Sequence, residues 1–276
     1  MIICKKIKIN LLVNNNRKAS LILSLFCFLN IYSYGEENNS NGMHHIRKEI
    51  KDYLSVENTW NHKYKELSKA ISRNHPWHLI NAILNGKDCK KVYKKFILEL
   101  SKFLKEPQVK KFLNIFDAEI LKELECILNK SRPEIIRIFS FMAKINSAIK
   151  NIFLIFNPLD AYWGGYCFKL DNSGYIVVGP GALDKNCELI RHEVFHFFAN
   201  KIKVPKDFLK NKNFDNLASF GYKTKKIITS EYIVRSLDFI YRESILKENI
   251  EKELALENKD FPEIKRVMLY IKKQRH

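Results

Sequence analysis

Arg191-His192-Glu193-Val194-Phe195-His196 reads H-E-x-x-H behind a basic residue, inside a stretch from Glu188 to Phe198 that holds neither proline nor glycine. On a helix, histidines four apart lie about 40° from each other and project the same way, so two imidazoles can ligate one tetrahedral zinc while Glu193 stands beside them as general base. With His192 at 0°, His196 falls at about 40° and Glu193 at about 100°, whereas Ile190, Val194, Phe197 and Phe198 cluster between about 140° and 240°. The spacing predicts a helix whose metal face opposes its core face, capped by Asp184 or Asn186 and stopped near Asn200. Chance gives this pentapeptide in roughly 2% of chains with so few histidines, so coincidence is the weaker reading.

A hydrolytic zinc needs a third protein ligand and an open position for water. The longer signature H-E-x-x-H-x-x-G-x-x-H fails, because Ala199 and Ile202 stand at the glycine and last histidine positions and only His276 lies downstream. A carboxylate must complete the set. Glu231 is preferred, in a second long helical pattern expected to open after a capping Thr229 or Ser230, and Asp215 is its rival. On that helix Glu231, Arg235 and Asp238 share a polar face, opposite Ile233, Leu237 and Ile240. Tyr232, Tyr222 or Arg235 could stabilise a developing oxyanion.

H-E-x-x-H followed on a later helix by a glutamate resembles the gluzincin branch of the zincin metallopeptidases. Over residues from about 151 to 245 the chain further resembles a secreted bacterial zincin-like family. The resemblance implies one zinc held by His192, His196 and Glu231, with Glu193 as base, acting on a protein or peptide substrate. It departs from many gluzincins at Arg235, where an aspartate or small residue is usual four after the glutamate.

Upstream of the motif lies the one clearly β-like region, Ile152 to Phe156, Tyr166 to Leu170 and Tyr175 to Val178, the last two joined by a turn at Asp171-Asn172-Ser173-Gly174. Gly164-Gly165 and Gly179-Pro180-Gly181 punctuate the chain and match no phosphate-loop spacing. Residues 43 to 150 carry helical patterns at Val92 to Leu104, Phe112 to Leu124 and Ile135 to Met142, punctuated by Gly86, Pro107 and Pro133, and one more helix is expected beyond Pro262. The expected fold is α+β and mostly helical: a helical region over residues 36–150 packed on a zincin-like domain over residues 151–276, with a small hairpin sheet ahead of the zinc helix.

Lys5, Lys6, Lys8, Arg17 and Lys18 precede the first acid, Glu36, and a short apolar run from Ala19 to Tyr34 leads to Ser33-Tyr34-Gly35. This reads as a signal peptide over residues 1–35, hence a secreted or periplasmic protein, with an N-terminal membrane anchor as the alternative. Removing its five basic residues lowers the net charge from +18 to +13. The remaining lysines are scattered and no nucleic-acid motif is present, so weak attraction to an anionic membrane or envelope surface is expected, and no nucleic-acid partner. Export would permit disulfides, with Cys89–Cys126 and Cys167–Cys187 the local pairing. A zinc-binding but non-catalytic envelope or host-interaction protein is the competing reading of the same motif.

Overall fold

The computed structural model describes residues 10–13, 63, 66–67, 69–70, 91–145, 148–157, 164–170, 172–209 and 224–275. Tyr222, Asp215, Cys89 and most of the expected signal segment lie outside them. The fold is α+β and mostly helical, as the hydrophobic periodicity predicts. Among the described residues no helix is long and apolar enough to cross a membrane.

Four strands form one sheet in the order β1-β2-β4-β3: β1 (Asn10–Val13), β2 (Asn151–Phe156), β3 (Gly165–Leu170) and β4 (Ser173–Val178). The hairpin expected between the last two is present, antiparallel, with Cys167 opposite Ile176 and Lys169 opposite Gly174. Ser173 and Gly174 belong to β4 rather than to the turn. β2 pairs with β4 in parallel, so the chain passes from β2 to the far position at β3 and returns to the middle. β1 pairs in parallel with β2 and comes from the segment expected to be removed as a signal peptide. Cleavage after Gly35 would therefore take away a strand of this sheet.

The helical patterns become α1 (Lys91–Phe103) and α2 (Pro107–Phe141). Pro107 opens α2 as expected, but Pro133 lies inside it without ending it. Pro133 and Asn129, whose carbonyl loses its usual donor, are both exposed, so the ring meets no neighbour and water can take the freed carbonyl. Downstream come α3 (Asp184–Ala199), α4 (Lys225–Tyr241), α5 (Glu251–Asp260) and α6 (Ile264–Arg275), the last being the helix expected beyond Pro262.

The H-E-x-x-H segment is α3, and it is more enclosed than a two-faced helix. Ile190, Val194, Phe197 and Phe198 are buried as expected, but so are Phe195, Arg191 and Glu193. The β3–β4 hairpin covers one side, while α2 and α4 cover others. Phe139 of α2 meets Phe198 edge-on at 5.0 Å, and Phe195 packs against Phe141 and Tyr241. Leu183, which offers no side-chain cap, rather than Asp184 or Asn186 is the N-cap of α3; Asn200 follows its end, as expected.

Gly165 and Gly174 let the helix approach the hairpin. A Cβ on Gly174 would lie 2.7 Å from Phe197 Cζ, and one on Gly165 would lie 2.6 Å from Leu189 Cδ1. Gly165 is thus a close-approach residue as well as punctuation. The described cysteines Cys126, Cys167 and Cys187 carry free thiols, so the expected Cys167–Cys187 bridge is not formed. Because Phe197 is a rigid, buried ring, Gly174→Ala should lower the unfolding free energy by roughly 1–3 kcal/mol, measured as a shifted urea midpoint at unchanged slope.

Candidate metal centre

α3 presents His192 and His196 side by side, with ring centroids 5.0 Å apart, and the side chains keep 22% and 20% exposure. The i, i+4 spacing thus does what the wheel predicts, leaving the two imidazoles partly open while the other residues from Ile190 to Ala199 are buried. Glu231 comes from α4, and its position differs from expectation. The helix starts at Lys225, with Thr224 as N-cap accepting from the Ile227 amide at 3.2 Å. Glu231 therefore sits nearly two turns in, too far for the helix terminus to be what a carboxylate serves there.

The two imidazoles converge on this carboxylate. His192 Nε2 lies 3.4 Å from Glu231 Oε2, and His196 Nε2 lies 3.1 Å from Oε1. Two ligands at about 2.05 Å from a tetrahedral zinc are about 3.3 Å apart, so this donor set fits such an ion. Glu231 Oε2 is buried and accepts no well-formed hydrogen bond, an oxygen for which a cation is the natural partner. His196 Nδ1 meets Ser230 Oγ at 3.3 Å, which orients the ring and leaves Nε2 for the centre. The ligand atoms of His192, Glu193 and His196 also lie within 4.8 Å of one another.

Burial pushes the Glu231 carboxyl up, but His192 and His196 outweigh it and hold the group well below the ordinary carboxylate range. Burial tends to lower the pKa of His196, yet its bond to Glu231 and the charge of Glu193 raise it overall. Glu193 moves the other way from Glu231: burial raises its pKa, and the charges of His196 and His192 only partly offset this. Two carboxyl groups in one site are thereby held apart in proton affinity. Glu231 is suited to staying ionised, and Glu193 to exchanging a proton.

β3 runs beside α3 in the same sense and presents three positions to it. A Cβ on Gly165 would lie 3.2 Å from Glu193 Oε1, Cys167 follows on the same side of the strand within reach of the Glu193 charge, and Lys169 Nζ donates to the Phe197 carbonyl at 2.5 Å. Four residues of strand cover about 13 Å and eight of helix about 12 Å, so the two elements stay in step along the site.

The other expected site residues divide. Asp238 lies away from the imidazoles, where it accepts from Arg191 Nε and faces Arg242 at 3.9 Å. Arg191 also faces Glu134 of α2 at 3.7 Å, so buried charges join three helices. Arg235 stays near the centre: its Nε is 3.8 Å from Glu231 Oε2, NH1 bonds Glu257 at 2.5 Å, and the guanidinium lies 4.3 Å over Phe261. Tyr232 donates its hydroxyl to the Pro262 carbonyl at 2.8 Å and packs edge-on to Phe261, so the hydroxyl suggested for an oxyanion is engaged there. By sequence alone Ser230 reads only as a cap and Cys167 only as a disulfide half. The signal that could have flagged Ser230 was its place beside Glu231; nothing local marked Cys167.

No family model, no curated protein and no solved structure matches the chain.

Arg191 and Asp238 are almost fully buried. Asp238→Ala should therefore cost roughly 3–5 kcal/mol of stability by leaving the guanidinium only its longer contact to Glu134, while the double change Arg191→Met with Asp238→Leu should recover most of it. Chemical denaturation of the three variants measures both.

Proposed function

We propose that the chain is an exported, zinc-dependent peptidase with a zincin-like domain of the gluzincin type, in which His192, His196 and Glu231 hold the metal and Glu193 is the general base. The observation that carries this reading is the convergence of two imidazole Nε2 atoms on the two oxygens of one buried carboxylate, at 3.4 and 3.1 Å. Export rests on the basic and then apolar N-terminal segment alone.

Zinc bound there supplies the Lewis acidity that makes water nucleophilic near neutral pH and polarises a peptide carbonyl. The chain's own groups do the rest. Glu193, buried and with its proton affinity raised, takes the proton of the attacking water and returns it to the leaving amine. Ser230 holds His196 in the ring orientation that directs Nε2 to the centre. Arg235, itself fixed by Glu257 and Phe261, steadies Glu231 and offers a positive charge beside the centre for an oxyanion developing at a carbonyl oxygen. β3 is the last strand of the sheet among the described residues and passes Glu193, so an extended peptide added along it would bring a scissile bond past the base.

Elemental analysis of the purified chain should give close to one zinc, lost in His192→Ala and Glu231→Ala. Glu193→Gln should keep the zinc and reduce cleavage of a peptide library by roughly a thousandfold. No zinc after reconstitution would sink this reading, and zinc without turnover would favour a non-catalytic binding protein. Ser230→Ala should bind zinc about tenfold more weakly in a chelator competition, with the fold unchanged.

A further inference from the structure

We propose that Cys167 is a positioning residue for Glu193, its S–H donating to the carboxylate so that the base is held in one rotamer between β3 and the imidazoles. This rests on the peptidase reading for its effect on turnover, but the contact itself does not.

The placement follows from the strand. Gly165, Cys167 and Lys169 alternate onto the same side of β3, the side that faces α3, and their partners across the hairpin, Val178, Ile176 and Gly174, face it too. At its first position the strand offers no side chain, and Glu193 Oε1 occupies that room, 3.2 Å from where a Cβ would stand. At the next position on that side, between the strand residue that meets Glu193 and the one that meets Phe197, it offers a thiol, which the register sets beside the same carboxylate. At the third it offers an ammonium that donates to the Phe197 carbonyl and lies 5.7 Å from the centroid of that ring. Missing bulk, a donor and a cation thus meet the helix in succession, and the first two act on Glu193.

A thiol suits this place. It is smaller in charge than a hydroxyl and a weaker donor, so it fixes one carboxylate oxygen without competing strongly for the proton the base must carry. It is free, in no disulfide. Burial, and next the Glu193 charge, push its pKa well up, which favours the S–H form that can donate. Of the site's carboxylates Glu193 acts on Cys167 more strongly than Glu231 does, so the thiol bears on the base before it bears on a metal ligand.

The test uses the full chain as wild type and as Cys167→Ala, Cys167→Val and Cys167→Ser. Zinc content and chelator-measured affinity should be the same in all four. Turnover of a peptide substrate should fall roughly tenfold in kcat at unchanged KM for the alanine and valine variants, the loss of one hydrogen bond to a charged group, and serine should recover most of it. An infrared difference spectrum of the metal-free protein, wild type minus Cys167→Ser, isolates the S–H stretch of this thiol. It should lie at the low frequency of a bonded thiol and rise in Glu193→Ala.

Wild-type kcat in Cys167→Ala, or an S–H band unmoved by Glu193→Ala, would overturn the proposal. A wild-type chain that turns over no peptide would overturn the peptidase reading and the kinetic role with it. The infrared band, which needs neither metal nor turnover, tells that failure apart from a missing contact.

Discussion

A charge cannot be buried without a partner, and the Arg191 guanidinium is buried one residue before the first histidine of the motif. Its partner, Asp238, lies seven residues beyond Glu231, which on a helix is two turns along the same face. Meeting the demand of Arg191 therefore also turns Glu231 toward α3. The pairings run in opposite directions along the two helices, Arg191 to Asp238 and His196 to Ser230 and Glu231, so α3 and α4 are antiparallel where they meet. Arg242 and Glu134 extend the charge network to either side, tying in the turn after α4 and the long helix α2.

The remaining side of α3 is set by bulk. Two glycines on the hairpin allow the helix to come close, and the apolar residues of β2 and β4, Ile152, Leu154, Ile176 and Val178, fill the space behind it. Close-packed interiors deform little, so a helix held by a buried ion pair on one side and by tight strand contact on the other keeps its side chains in place. That rigidity is what a site made of four side chains from two helices beside a strand requires. It leaves one open strip, where the two imidazoles emerge.

Much of this was legible in the chain. The 3.6 period through Ile190, Val194, Phe197 and Phe198 marked the core side of α3, and the i, i+4 spacing marked the imidazole side. The hairpin showed in alternating β-branched and aromatic residues around a turn, and the polar face of α4 in Glu231, Arg235 and Asp238. Other features were misjudged for identifiable reasons. Pro133 reads as a break, but a proline on the solvent face meets no clash that burial would enforce. Thr229 and Ser230 read as caps because these residues favour helix starts, while the helix in fact begins at Lys225. Cys167 and Cys187 read as a local pair by proximity along the chain, which carries no information about which way a thiol points.

What the sequence by itself determined is the helix, its two-imidazole face, the carboxyl of Glu193 beside them and the presence of a carboxylate at Glu231, because each depends on spacing within one element, where backbone geometry fixes direction. What only the tertiary structure decided is everything that joins elements. The meeting of Glu231 with both Nε2 atoms, the hold of Ser230 on His196, the approach of β3 to Glu193 and the turning of Tyr232 toward Pro262 all arise between residues distant along the chain. Their contacts follow from how three layers pack around a buried arginine, and packing is a property of the whole chain that no local period records.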